Sequence, residues 1–163
     1  MKKVLMTMVS ACLALMMLSG CAPPEERAAR AAEQAAKVTA ALKARNYKIS
    51  VDRMYPMKGS SKSVSYGYAV EVRNDSLISY LPYIGGAYNV PYGGGKGLNF
   101  SERIGSYQES QKNNGQHQIV INVTNEEDSY VYTLKVFDNG SSSIDVQSRQ
   151  RDHISYSGEV EVK

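Results

Sequence analysis

The chain has few cysteines and an unusual aromatic balance: two cysteines, two phenylalanines and no tryptophan, against twelve tyrosines, among 163 residues. Cys12 lies inside an apolar N-terminal segment and Cys21 directly follows that segment. If the segment is removed and Cys21 is modified, the remaining domain has neither a free thiol nor a disulfide. Packing and hydrogen bonds alone must then stabilise it.

The chain also has little net charge. The formal charge is +3, and removing Lys2 and Lys3 with the N-terminal segment leaves +1. No basic patch interrupts the mature sequence, so nucleic acid is not expected as a partner. The mature length is typical of one domain with its own hydrophobic core.

The first residues form an export signal. A positive start at 1–3 precedes an apolar run at 4–17 and the sequence Leu-Ser-Gly-Cys at 18–21. This order is that of a signal peptide, and its ending resembles the bacterial lipobox. We therefore predict a signal peptide over residues 1–20 and lipidation of Cys21. A transmembrane helix is disfavoured, because it needs about 20 apolar residues.

A lipidated Cys21 predicts where the protein resides. Two or more acyl chains, such as palmitate, anchor a protein stably to a membrane. Ala22 carries no obvious inner-membrane retention signal, which favours the outer membrane of a Gram-negative cell envelope. The sequence is compatible with display on either the periplasmic face or the outer surface of that membrane.

Residues 21–46 are predicted as the anchored cysteine followed by an alanine-rich helix or stalk. Alanine, glutamate, lysine and arginine, all strong helix formers, dominate residues 25–45. Pro24 suits the first turn of such a helix. Its apolar stripe consists mainly of alanines, so we expect it to pack lightly against the domain.

From residue 47 to 163 the apolar residues alternate with polar ones. Alternation with one polar face is typical of antiparallel strands, and short turns between successive strands indicate a meander. The sequence predicts an all-β domain of about eight or nine strands, curled into a barrel or half-barrel that is lipocalin-like in outline. A membrane-spanning barrel is disfavoured, because a lipid anchor is already present. The strand segments are 47–54, 64–72, 77–81, 98–103, 106–112, 119–123, 130–136, 144–146 and 154–162.

Residues 80–100 form a segment rich in tyrosine and glycine. One interpretation is a loop that covers one barrel end with its tyrosines packed as a plug. The other is a binding loop for a glycan, a peptide or an envelope-protein partner, since loops commonly carry binding residues. For this second interpretation the predicted binding residues are Tyr80, Tyr83, Tyr88, Tyr92 and Lys96.

The same segment carries a resemblance to a known family. The chain resembles the exported lipoproteins of the domain of unknown function 4251 family, found in Bacteroides-like Gram-negative bacteria. That resemblance implies export and lipidation, and it implies no activity and no catalytic residues. It rests on Tyr47-x-Ile49, Met54-Tyr55-Pro56, Tyr80-Leu81-Pro82-Tyr83-Ile84-Gly85, Ala87-Tyr88, Pro91-Tyr92-Gly93, Gly97-Leu98-Asn99-Phe100 and Ile154-Ser155-Tyr156-Ser157-Gly158.

Motifs for catalysis or metal binding are weak. The run at 93–97 lacks the Lys-Ser/Thr order and the following helix of a phosphate-binding loop. No Gly-x-Ser-x-Gly elbow occurs. We expect His117 and His153 to be solvated residues at strand ends, and we predict no enzyme activity, cofactor or metal.

The leading functional hypothesis is a non-catalytic, lipid-anchored envelope lipoprotein that binds a ligand or partner through the tyrosine-rich loop. The first alternative is a structural or assembly component of an envelope complex with no small-molecule ligand. The second alternative is an unrecognised hydrolase.

Overall fold

The computed structural model describes residues 23–65, 67–88, 96–112 and 114–162. The predicted signal peptide, Cys21 and Tyr92 lie outside these residues. The chain divides into two compact units, Met1–Arg30 and Ala31–Lys163. The elements are α1 (Pro24–Lys43), β1 (Asn46–Pro56), β2 (Lys62–Ser63), β3 (Ala69–Arg73), β4 (Ser76–Leu81), β5 (Leu98–Lys112), β6 (Gln116–Thr124), β7 (Ser129–Phe137), β8 (Ser141–Ser148) and β9 (Ile154–Glu161).

Helix α1 confirms the predicted alanine-rich helix. Glu25 and Glu26 lie in its first turn and Lys43 in its last, where they complement the helix dipole. Val38 and Leu42 are fully buried, and they belong to the same hydrophobic core as the strands. None of the described helices is long and apolar enough to cross a bilayer.

The strands form a closed antiparallel barrel of eight strands, with β2 as an additional strand beside β1. From β3 to β9 each strand pairs with the next one in sequence, and β1 pairs with both β3 and β9, which completes the ring. The predicted all-β meander is therefore confirmed, and the barrel is closed rather than an open curved sheet. Apart from β2, the order of the strands around the ring follows their order in the chain.

Two strand boundaries differ from the predicted segments. The segment predicted as one strand over 64–72 becomes a strand only at Ala69, where β3 begins, and the short strand β2 at Lys62–Ser63 precedes it. The segments predicted separately at 98–103 and 106–112 form one strand, β5, whose register shifts between Ile104 and Ser106. This irregularity lets β5 pair with β4 along its first half and with β6 along its second half.

The barrel has two ends, which we name by what covers them. The helix end lies at Asn46, Arg73, Phe137 and Glu161, and the later half of α1 covers it. The grooves beside α1 show this coverage, since one is lined by residues of α1, β1, β3 and β9 and another by residues of α1, β5 and the turn after β7. The loop end lies at Pro56, Leu81, Leu98, Tyr130 and Ile154.

Inward-facing side chains occupy the barrel interior. Most are aliphatic, and the largest fully buried ones are three tyrosines on β7 and β9. The fully buried aliphatic residues of the strands include Ile49, Val70, Val72, Leu77, Leu81, Ile119, Ile121, Leu134, Val136 and Ile144. A groove of about 530 Å³ lies outside this packed interior, between α1 and the barrel wall.

Candidate binding surface at the loop end of the barrel

Buried tyrosine hydroxyls hold both ends of the tyrosine- and glycine-rich segment. The Tyr156 hydroxyl donates to the Pro82 carbonyl at 2.7 Å, where the segment begins. At its other end, the Tyr130 hydroxyl donates to the Gly97 carbonyl at 3.3 Å. Burial raises the pKa of Tyr156 well above its usual value, so its hydroxyl remains a donor at physiological pH.

A chain of two hydrogen bonds through β4 also reaches this segment. The Tyr132 hydroxyl donates to Ser79 Oγ at 2.9 Å, and Ser79 donates to the Leu98 carbonyl at 2.7 Å. Tyr132 and Ser79 are both buried inside the barrel. The buried hydroxyls of Tyr132 and Ser79 therefore each donate a hydrogen bond, and this chain of bonds ends on the backbone of the segment.

The residues from Pro82 to Tyr88 lie along the turn between β8 and β9. The Tyr88 amide donates to the Gln150 carbonyl at 2.8 Å, and the Asp152 amide donates to the Gly86 carbonyl at 3.0 Å. The Asp152 carboxylate accepts two further hydrogen bonds, from the Gly86 amide at 2.9 Å and from the Tyr88 hydroxyl at 2.8 Å. We call this arrangement the Asp152 clasp.

Electrostatics favour an ionised carboxylate in the Asp152 clasp. The hydrogen bond from Tyr88 lowers the pKa of Asp152 most, followed by the Gly86 amide and, more weakly, by the Lys58 ammonium. The same carboxylate raises the pKa of Tyr88. The Lys58 charge thus acts on the clasp, which itself joins two chain segments at the loop end, residues 82–88 and 150–152.

A buried ion pair lies beneath this surface. Arg151 Nη2 is 3.3 Å from Glu127 Oε2, and the two side chains are 7% and 16% exposed. The Arg151 guanidinium also lies 5.7 Å from the centre of the Tyr83 ring. Glu127 accepts the Lys96 amide at 3.0 Å, so the pair also fixes the chain as it re-enters β5.

The structure brings together only some of the predicted binding residues. Tyr83 and Tyr88 converge on Asp152, because the Tyr83 hydroxyl contacts the Asp152 carbonyl at 3.1 Å. Tyr80 lies apart from them on the outer wall, where it stacks on Tyr68 with ring centres 5.1 Å apart. Lys96 is exposed beside Glu127. Tyr92 is outside the described residues, and a binding role for all five stays a prediction.

Exposed apolar side chains concentrate at the loop end. Among the described residues, five of the six large hydrophobic side chains that are exposed lie there, and Phe137 alone lies at the helix end. Tyr88 is the most exposed at 76%, followed by Met57 at 64%. The five residues are Tyr55, Met57, Tyr80, Ile84 and Tyr88, and we call them the apolar rim.

Sequence patterns did not reveal Asp152, Arg151 and Glu127 as parts of this surface. All three lie in charged turns, which usually indicate solvent. Here Arg151 is buried, and the isolated bridge between Ala87 and Arg151 aligns the two segments. The only available signal was the charged turn itself, since pairing between distant loops leaves no periodic pattern.

One of the two histidines differs from the prediction. His117 is 2% exposed rather than solvated, and its Nδ1 and Nε2 face Glu109 at 3.4 Å and Asp138 at 3.7 Å. His117 lies on the same face of β6 as Ile119 and Ile121, which are fully buried, and this explains its burial. The other histidine, His153, is exposed as expected.

The surroundings of His153 lack the order of a serine-hydrolase triad. Ser155 donates to Asp145 Oδ1 at 2.7 Å, and His153 Nε2 lies 3.6 Å from the same oxygen. In a triad the imidazole lies between the serine and the carboxylate, whereas here the serine proton is directed to the carboxylate itself. The described residues also include no cluster of three metal-ligating side chains.

Comparisons with known proteins identify the family. The model of DUF4251, a domain of unknown function, matches residues 29–160. A crystal structure of a DUF4251 family protein from Bacteroides eggerthii DSM 20697 superposes with a TM-score of 0.61 at 15% identity, covering 79% of this chain and 87% of that one. No curated protein matches. Because the family model covers most of the chain, the protein belongs to the DUF4251 family.

Proposed function

We propose that this protein is a non-catalytic lipoprotein of the cell envelope, anchored through Cys21, that docks onto another envelope component through its loop end. The observation that carries the proposal is the concentration of exposed apolar side chains at one end of a barrel with a packed interior. Exposed apolar side chains that gather at one end of a protein often mark an interaction site. The Asp152 clasp supports this role, because it holds the Tyr88 ring outward on a hydrogen-bonded backbone.

The packed interior favours a large component over a small ligand inside the barrel. Fully buried side chains on β1, β4, β6 and β7 fill the volume in which a lipocalin-like barrel would hold a molecule. This proposal thus has more in common with an assembly component that binds no small-molecule ligand, the first alternative above, than with a carrier that binds a ligand inside the barrel.

Photo-crosslinking in intact cells tests the proposal. A photoreactive amino acid replaces Met57 on the apolar rim and, in a control protein, Phe137 at the helix end. Both positions are exposed, at 64% and 36%. We expect a discrete adduct, with protein or with lipid, from position 57 only. No adduct at either position, or equal adducts at both, would contradict the proposal.

A further inference from the structure

The charges around the apolar rim point to the class of component that docks there. We propose that the loop end docks onto an anionic membrane surface, so that the lipoprotein contacts a membrane through the barrel as well as through its lipid. This inference rests on the proposed function and names its partner. It follows from three observations about the described residues.

The first observation is that the carboxylates of the loop end are engaged within the protein. Asp152 accepts Tyr88 and Gly86, and Glu127 pairs with Arg151. Asp128 is buried and accepts the amides of Ser129, Arg149 and Gln150 at 2.7–3.2 Å. Glu126 is the exposed exception.

The second observation is that cations of the loop end other than the buried Arg151 lie exposed. The side chains of Lys58, Lys62 and Arg149 are exposed, and none makes a hydrogen bond or ion pair with the described residues. Lys58 directly follows the exposed Met57 in the connection from β1 to β2. Apart from Glu126, the exposed charged side chains named at the loop end are therefore positive.

The third observation is the type of residue on the rim and around it. Tyrosine has an apolar ring and a polar hydroxyl, which suit the boundary between headgroups and acyl chains. Lysine is depleted at protein–protein interfaces but enriched where proteins contact anionic lipid. Apolar side chains spread over separate strands and turns, with lysines around them, fit a bilayer surface better than a shaped protein pocket.

An N-terminal lipid would strengthen such docking. It holds the barrel near the bilayer, so a contact that is weak for a free protein becomes favourable through high effective concentration. Each lysine near an anionic surface increases docking about fivefold, and salt screens the attraction. Two lysines thus change the ratio of docked to undocked barrels by about 25-fold.

Fluorescence quenching in vesicles tests this proposal with the acylated protein. A fluorophore on Met57→Cys reports docking, and one on Phe137→Cys serves as the control at the other end. The vesicles contain phosphatidylethanolamine with or without phosphatidylglycerol, together with a lipid-bound nitroxide quencher. We expect strong quenching at position 57 only with phosphatidylglycerol, relieved by high salt. Gln at both Lys58 and Lys62 should weaken it about 25-fold, whereas Lys112→Gln at the helix end should leave it unchanged.

Two outcomes would overturn the membrane proposal. Quenching that is absent at position 57 shows that the loop end avoids lipid, and equal quenching at both positions shows only the effect of the tether. In either case a protein adduct from the photoreactive residue at position 57 in cells would preserve the proposed function with a protein partner. The loss of all adducts would remove both proposals.

Discussion

Replacing Tyr156 by phenylalanine should loosen the loop end without changing the barrel. Tyr156 is 1% exposed, and its hydroxyl makes a 2.7 Å hydrogen bond to the Pro82 carbonyl. The substitution keeps the ring in the core and removes only this bond. Such a loss costs about 1–2 kcal/mol, because the carbonyl is left without its partner.

This cost has two measurable consequences. For a domain of this size, each kcal/mol lowers the melting temperature by about 4 °C, so Tyr156→Phe should melt about 4–8 °C lower. Hydrogen exchange of the amides of Gly86, Tyr88 and Asp152 should accelerate by about 5- to 30-fold, because these bonds depend on the same anchored segment. Amides of β6 and β7 that exchange through global unfolding should accelerate by no more than the same factor, because the same amount, about 1–2 kcal/mol, is lost from global stability.

Tyr55→Phe is the matched control. The Tyr55 ring is 43% exposed, and its hydroxyl makes only a long 3.3 Å contact with Ser157 on the outer wall. Its removal should change stability by less than about 0.5 kcal/mol. If Tyr156→Phe behaves like Tyr55→Phe in both assays, the argument that buried hydroxyls fasten the segment is refuted.

Three further predictions concern the barrel. Gly158→Ala should lower the free energy of unfolding in urea by at least about 3 kcal/mol, because a Cβ there would overlap the Ser50 carbonyl where β1 pairs with β9. Gly105→Ala should cost clearly less, because a Cβ at Gly105 would lie 3.2 Å from the Asn122 carbonyl oxygen. Leu42→Ala should cost about 2–5 kcal/mol, since Leu42 is fully buried between α1 and the barrel, and Lys37→Ala should be nearly neutral; comparable losses would contradict the packing of α1. Partial burial alone would raise the pKa of Asp145, but bonds from Ser155 and Lys135 outweigh it and lower that pKa. Asp145 therefore adds stability above about pH 4 that is lost as pH falls through its folded pKa, so the advantage of wild type over Asp145→Asn in melting temperature should shrink below pH 4 and not above it.

Strand periodicity predicted the barrel because each strand has one buried face. Along β7, Tyr130, Tyr132, Leu134 and Val136 alternate with half-buried residues, as their spacing indicates. The closure of the barrel could not be predicted in this way. It depends on the pairing of β1 with β9, which join residues more than 100 positions apart, such as Lys48 and Glu161.

The candidate surface was predictable only in part, for a related reason. The composition of residues 80–100 indicated a special segment, and Tyr83 and Tyr88 do lie at the loop end. The partner of both, Asp152, is more than 60 residues away in a turn, and no local pattern connects them. Burial of His117 and Arg151 also escaped prediction, because polar residues near strand ends are mostly exposed.

Thiol labelling in intact envelopes tests the central claim most directly. The mature chain is predicted to lack a free thiol, so Ile84→Cys and Phe137→Cys each provide a single reactive site. The native side chains are similarly exposed, at 40% and 36%. The rate of maleimide labelling is measured for each in intact envelopes and for the purified protein in detergent. Docking through the loop end predicts that only position 84 is labelled several-fold more slowly in envelopes. Equal rates at both positions in envelopes would contradict the claim that the loop end is the docking face.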